Sequence, residues 1–160
     1  MVRDDAVLER YEEGDEGTES REGSRSGAPH ESYDEYQRRI AARITHHRRA
    51  PPSTVKRLLR TPDAFTAWLR DHPPEAVVGD TVTPDDAPLA NFLWDRLGMY
   101  VWIADAITDG ERFVDIELPD WCHAYVLHEA TYVEQGRRDD DIELTAGEVL
   151  GVLEDVLGRA

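Results

Sequence analysis

Thr83–Gly98, TPDDAPLANFLWDRLG, has the marks of one helix, and its composition decides what kind of fold must surround it. Thr83 suits the N-cap, Pro84 the first helical position, and Asp85 and Asp86 the positive end of the helix dipole. Pro88 has no N–H to donate and offers a second place for the regular helix to begin. Gly98 is the natural left-handed stop. At about 100° per residue, Ala87, Leu89, Ala90, Phe92, Leu93, Trp94 and Leu97 cover an arc of roughly 220°, leaving mainly Asn91 and Asp95 for water. A surface helix needs only about 100° of apolar face, so neighbours are expected on more than one side.

The flanking segments supply those neighbours. TPDAFTAWLRDHPP (61–74) repeats the start signal, with Thr61 as cap and Pro62 at N1. It sets Phe65, Trp68 and Leu69 on one face and stops at Pro73–Pro74. Ala76, Val77 and Val78 form a short strand ended by Gly79. After Gly98, MYVWIADAI is apolar on both alternating faces, as an inner strand requires. Thr108–Glu111 is a turn signal. FVDIEL then returns with Val114, Ile116 and Leu118 inward and Asp115 and Glu117 outward, completing a hairpin. Pro119 opens a helix closed by Gly136, in which Trp121, Tyr125, His128 and Tyr132 share a stripe with Cys122, Val126 and Val133 beside it. The acidic loop RRDDD follows. Thr145 and Glu148 then have capping-box spacing, with Leu144 placed to staple onto Val149. Val149, Val152, Leu153, Val156 and Leu157 continue as one core-facing stripe.

The charge balance is extreme. The 160 residues carry 34 acids against 18 arginines and lysines, a formal net charge of −16, and Lys56 is the only lysine. Arginine in place of lysine with many short carboxylates resembles proteins of salt-loving archaea, whose carboxylate-rich surfaces stay hydrated when salt screens their repulsion. Acidic runs are therefore read first as salt adaptation. Cys122 is the sole cysteine, which excludes an intrachain disulfide and a cysteine-based zinc cluster. No apolar run approaches the roughly 20 residues of a membrane span, and the acidic N-terminus lacks a signal peptide's basic and apolar regions. The expectation is a soluble cytoplasmic protein with no membrane contact.

Charge is also segregated. Residues 1–31 combine acids, glycine and serine with nothing to bury, and are expected to be a disordered acidic tail. SYDEYQRRIAARITHHRR then places Tyr33, Tyr36, Ile40 and Ile44 on one helical stripe, with Ser32 in position to cap it. Between Tyr36 and Arg60 stand eight basic side chains and no acid: Arg38, Arg39, Arg43, Arg48, Arg49, Lys56, Arg57 and Arg60. Pro51 and Pro52 interrupt this island, and STVKRLLR begins a second short helix capped by Ser53. One reading is a nucleic-acid surface spanning residues 36–60, where guanidinium groups meet phosphates and release counterions. The other is docking on the chain's own acidic body or on an acidic partner. Counterion release loses force in high salt, and no helix-turn-helix glycine or RNA-binding aromatic motif accompanies the arginines, which favours docking.

Chemistry-bearing patterns are weak. His128-Glu129 lacks the second histidine that a helical zinc protease needs four residues on. His123 and His128 are five apart, about 140° around a helix, and cannot chelate one ion. Cys122 has no base beside it on a helix and lies in an acidic region, which disfavours a thiolate. No glycine forms a phosphate-cradling loop, and no cofactor or metal ligand set emerges. The four tryptophans suit core packing, with an exposed aromatic patch for a partner as the sharper alternative.

Phe65-x-x-Trp68-Leu69, Val77-Val78-Gly79 and Pro88-Leu89-Ala90-x-Phe92-Leu93, together covering about residues 61–97, resemble a group of small uncharacterised prokaryotic proteins with the pattern F-x-x-W-L, V-V-G and C-P-L-A-x-(Y/F)-L. Ala87 stands where that pattern often has cysteine. The resemblance implies no activity.

The expectation is an α+β domain over residues 61–160, with about four helices on a small, mostly antiparallel sheet of about three strands near 76–79, 99–107 and 112–118. A basic helical arm (32–60) and the tail precede it. The expected function is a non-enzymatic accessory protein of a salt-adapted prokaryote or its mobile elements, binding a protein partner through the arm or an aromatic patch. The alternatives are a nucleic-acid-binding regulator using the arm, and a small enzyme centred on Cys122 and His128.

Overall fold

A computed structural model describes residues 31–110, 115–136 and 143–158, with 131–136 described as backbone only. The expected tail, the turn at Glu111, the inward Val114, the side chains of Tyr132 and Val133, and the RRDDD loop lie outside the described residues. The chain from Tyr33 onward forms one compact unit. Its helices are α1 (Tyr33–Thr45), α2 (Pro52–Leu58), α3 (Asp63–Arg70), α4 (Pro88–Leu97), α5 (Asp120–Gly136) and α6 (Ala146–Gly158). Its strands are β1 (Val77–Asp80), β2 (Val101–Ile103), β3 (Ala106–Asp109), β4 (Asp115–Glu117) and β5 (Glu143–Thr145).

The class is α+β, with corrections to the detail. Six helices occur among the described residues where about four were expected on the sheet; the larger number includes the two from the basic segment. Instead of one sheet there are two, an antiparallel β1–β5 pair and an antiparallel β2–β3–β4 meander. The expected long strand over 99–107 is split, because Ala104 and Asp105 leave the ladder and Ile103 pairs back onto Ile107. The return is as expected: Ile107 faces Ile116, and Asp115 and Glu117 are exposed around it.

The central segment starts later than the Thr83 cap signal implies. Pro84–Asp86 forms a single 3₁₀ turn, Ala87 is extended (φ −64°, ψ 149°), and the α-helix begins at Pro88. Proline disfavours the helical region for the residue before it, so Ala87 cannot carry the helix through. Gly98 ends α4 in the left-handed region at φ 67°, its N–H donating to the Trp94 carbonyl. Pro88 to Leu93 are all buried, so the first half of α4 is enclosed on every side.

Phe65 is the hub of that enclosure. Its ring lies 5.4 Å from Phe92, 5.5 Å from Tyr125, 5.9 Å from Trp68 and 6.1 Å from Trp121. Val55 and Leu59 join the same core from the basic segment. The capping box forms as spaced: the Glu148 N–H donates to Thr145 Oγ1 (3.2 Å) and the Thr145 N–H to Glu148 Oε1 (3.1 Å). Leu157, expected in the core stripe of α6, is 37% exposed. β5 was not anticipated. It completes a two-stranded pair whose register slips between Val77 and Gly79.

Candidate functional site

The eight basic residues divide by depth. Arg39 and Arg43 turn inward from α1 onto the acidic 3₁₀ turn and α4. Arg39 Nη2 meets Asp86 Oδ1 at 2.9 Å, and Arg43 Nη1 donates to Asn91 Oδ1 at 2.6 Å while its guanidinium lies 5.3 Å over the Trp94 ring. Burial lowers the pKa of Arg43, and the neighbouring Arg39 adds to that. Asn91, expected to face water, is the buried connector. Its amide donates to the Val78 carbonyl (2.8 Å) and to Asp86 Oδ1 (3.1 Å) while its oxygen receives Arg43. The inward stripe of α1 is therefore Tyr36, Ile40 and Arg43: Tyr36 and Ile40 belong to the expected stripe, whereas its ends, Tyr33 and Ile44, are 74% and 56% exposed.

Asp85 gathers two phenols, one from each side. The Tyr36 hydroxyl donates to Oδ1 (2.5 Å) and the Tyr100 hydroxyl to Oδ2 (2.7 Å). Burial first, then these bonds to a carboxylate, push both phenols up, Tyr100 to about 12. Nearby, the Tyr100 N–H donates to His47 Nδ1 (2.7 Å), which places the histidine proton on Nε2, 3.4 Å from Asp109 Oδ1. The remaining cations, Arg38, Arg48, Arg49, Lys56, Arg57 and Arg60, are exposed. The aliphatic stem of Arg48 packs over Gly98, where an added Cβ would lie 3.1 Å from Arg48 Cδ.

A second arrangement was missed. The link from β1 into the 3₁₀ turn and one face of α5 enclose a cavity of about 120 Å³. Asp80, Thr81, Thr83, Tyr125 and Glu129 supply its polar lining, and aliphatic side chains, Leu89, Ile103 and Val126 among them, much of the rest. Asp80 is buried, its Oδ1 receiving the N–H groups of Val82 (2.9 Å) and Thr83 (2.6 Å). Burial raises the Asp80 pKa against the pull of those bonds. Glu129 is pushed up to about 7 by burial, with the Tyr125 hydroxyl working against and the Asp80 charge adding. The signal in the sequence was the i, i+4 pair Tyr125 and Glu129, which shares one face of a helix otherwise turned to the core.

The other sequence candidates are not brought together. Cys122 is fully buried and its thiol is pushed well up by burial alone, which disfavours the thiolate. His128 Nε2 lies 3.0 Å from Asp155 Oδ2 of α6, and His123 is exposed. Among the described residues no three histidine, cysteine or acidic side chains converge as a metal site, and no helix is long and apolar enough to cross a membrane. Of the tryptophans, Trp68 is buried and donates to Asp95 Oδ2 (2.8 Å), and Trp121 donates to the Leu59 carbonyl (2.7 Å). Trp94 and Trp102 are half-buried. Compared with family models, curated proteins and solved structures, the chain matches none of them.

Proposed function

We propose that this is a non-enzymatic accessory protein of a salt-adapted prokaryote or its mobile elements. It works in the cytoplasm and recruits an acidic protein partner through Arg38, Arg48, Arg49, Lys56, Arg57 and Arg60. One observation carries the reading: these six cations of the basic segment stand exposed on the surface of a chain of net charge −16. Exposed arginines meet carboxylates bidentately, and such short contacts persist in molar salt, where the screening length of about 3 Å still spans a hydrogen bond. Phosphate binding driven by counterion release is much weaker there.

The test uses the full chain and a variant with Arg48, Arg49, Lys56, Arg57 and Arg60 changed to glutamine. Cross-linking in extract of a salt-adapted host at 2 M KCl should join the wild type to an acidic segment of one protein, and the variant should lose that product. Polarisation with a duplex DNA 20-mer is run in parallel. DNA binding that survives 2 M KCl and vanishes in the variant would replace the protein partner with nucleic acid. Cross-links indifferent to the five substitutions would remove the basic face from the function.

A further inference from the structure

The cavity beside α5 holds a buried hydroxyl without a hydrogen-bond partner, beside a buried carboxyl. Tyr125 is 1% exposed and its hydroxyl lacks a hydrogen bond of good geometry; the Glu129 carboxyl, one turn along α5, is near enough for each group to act on the other. Glu129 is 8% exposed, and the groups that bear on its carboxyl are the Tyr125 hydroxyl and the Asp80 carboxylate. Asp80, by contrast, is held by two backbone N–H groups. Buried polar groups are rarely left unmet, and an unmet hydroxyl beside a buried carboxyl in a cavity is an incomplete site.

The chemistry of the missing partner follows from the walls. Among the described residues no lysine, arginine or histidine lines the cavity, and two carboxyls do. A cleft with low-dielectric walls on a chain of net charge −16 concentrates negative potential, so anions are repelled and cations drawn in. Leu89, Ile103 and Val126 give the remainder of the lining an aliphatic character. Among the described residues no three histidine, cysteine or acidic side chains converge to hold a metal ion, and the cavity brings together only two carboxyls. We propose that the cavity binds a small primary alkylammonium of three or four carbons, its head group donating to the Glu129 carboxylate and the Tyr125 hydroxyl and its chain lying on Leu89, Ile103 and Val126. The size is consistent, since an apolar cavity of roughly 150 Å³ admits benzene and this one measures about 120 Å³.

The full chain is titrated with n-propylammonium chloride in 1 M KCl by calorimetry and by NMR, against 1-propanol and sodium propionate. Saturable one-to-one binding is expected for propylammonium alone. E129Q should weaken it about tenfold or more, and Y125F several-fold. Binding near pH 7 should release a proton from Glu129, seen as a heat that varies with the buffer's ionisation enthalpy and is constant in E129Q; the groups that share its surroundings are Tyr125 on its own helix and Asp80 on β1. V126F, which keeps both polar groups and fills the space, should abolish binding while melting as a folded protein. Propanol binding as tightly as propylammonium, potassium displacing it at equal affinity, or wild-type affinity in E129Q or V126F would each overturn the assignment.

Discussion

Glu129 opposes the fold at neutral pH, and the sign of that effect is measurable. Its carboxyl titrates near 7 when folded against 4.5 in an open chain. Between those values the native state keeps a proton that the unfolded state has released, so the stability tied to this group is complete below pH 4.5 and lost as pH rises through 7. The shift corresponds to on the order of 3 kcal/mol above pH 8. Glu129→Gln keeps the size and, like the protonated acid, a hydrogen-bond donor, but never ionises. The variant should match wild type in thermal melts at pH 4.5 and gain on it steadily up to pH 8, in the absence of added amine. A variant that instead loses ground at pH 8 would mean that the carboxylate has a stabilising partner as an anion. A residue retained at such a cost to the fold has the profile expected of a binding group.

Gly79 shows how closely the elements approach one another. A Cβ there would lie 2.6 Å from the Asp86 carbonyl oxygen and 2.7 Å from the Pro88 nitrogen, both backbone atoms of the turn that leads into α4. Backbone cannot swing aside as a side chain does, so Gly79→Ala must displace β1 or the 3₁₀ turn and should cost about 1–3 kcal/mol in urea unfolding. A loss under about 0.5 kcal/mol would mean the junction is loose. Such tertiary approaches are also where the sequence was least legible. Local signals were enough for Gly98, for the Thr145–Glu148 box and for the alternation around Ile116, because turn and cap chemistry is encoded within four residues. β5 was hidden because three residues, ELT, acquire strand character only by pairing with β1 some sixty positions earlier. The strand over 99–107 looked continuous because the apolar run outweighed Asp105, whose turn preference won. The stripe of α1 was assigned to Tyr33, Tyr36, Ile40 and Ile44, yet the Arg43 guanidinium took the inward place of Ile44 once Asn91 offered it an oxygen. The cavity could not be read at all, since Glu129 is one acid among 34 until its surroundings are known.

Across the whole molecule the balance of charge should dominate stability. Local pairing cannot cancel an excess of one sign: Asp86 and Asn91 engage Arg39 and Arg43, and Asp85 is held by two neutral phenols. The excess of sixteen negative charges therefore acts through space. At 0.1 M salt the screening length is about 10 Å, which lets carboxylates on neighbouring elements repel each other, and at 1 M it falls to about 3 Å, which confines each to its nearest contact. Unfolding spreads the charges apart, so repulsion penalises the compact state most where screening is weakest. Thermal melts in 0.05, 0.5 and 2 M KCl should rise by roughly 5 °C or more in total, each kcal/mol of relieved repulsion being worth roughly 2–8 °C for domains of this size range. Screening and solute exclusion separate by shape: screening saturates once its length drops below the spacing between charges, whereas exclusion keeps growing with concentration, as it would in sucrose of equal osmolality. A melting temperature that climbs steeply below 0.5 M KCl and then flattens, with sucrose showing only a gradual rise, is the expected pattern. A flat response below 0.5 M would mean the surface acids are already neutralised by contacts within the fold, and would remove the physical basis for placing this chain in a salt-rich cytoplasm.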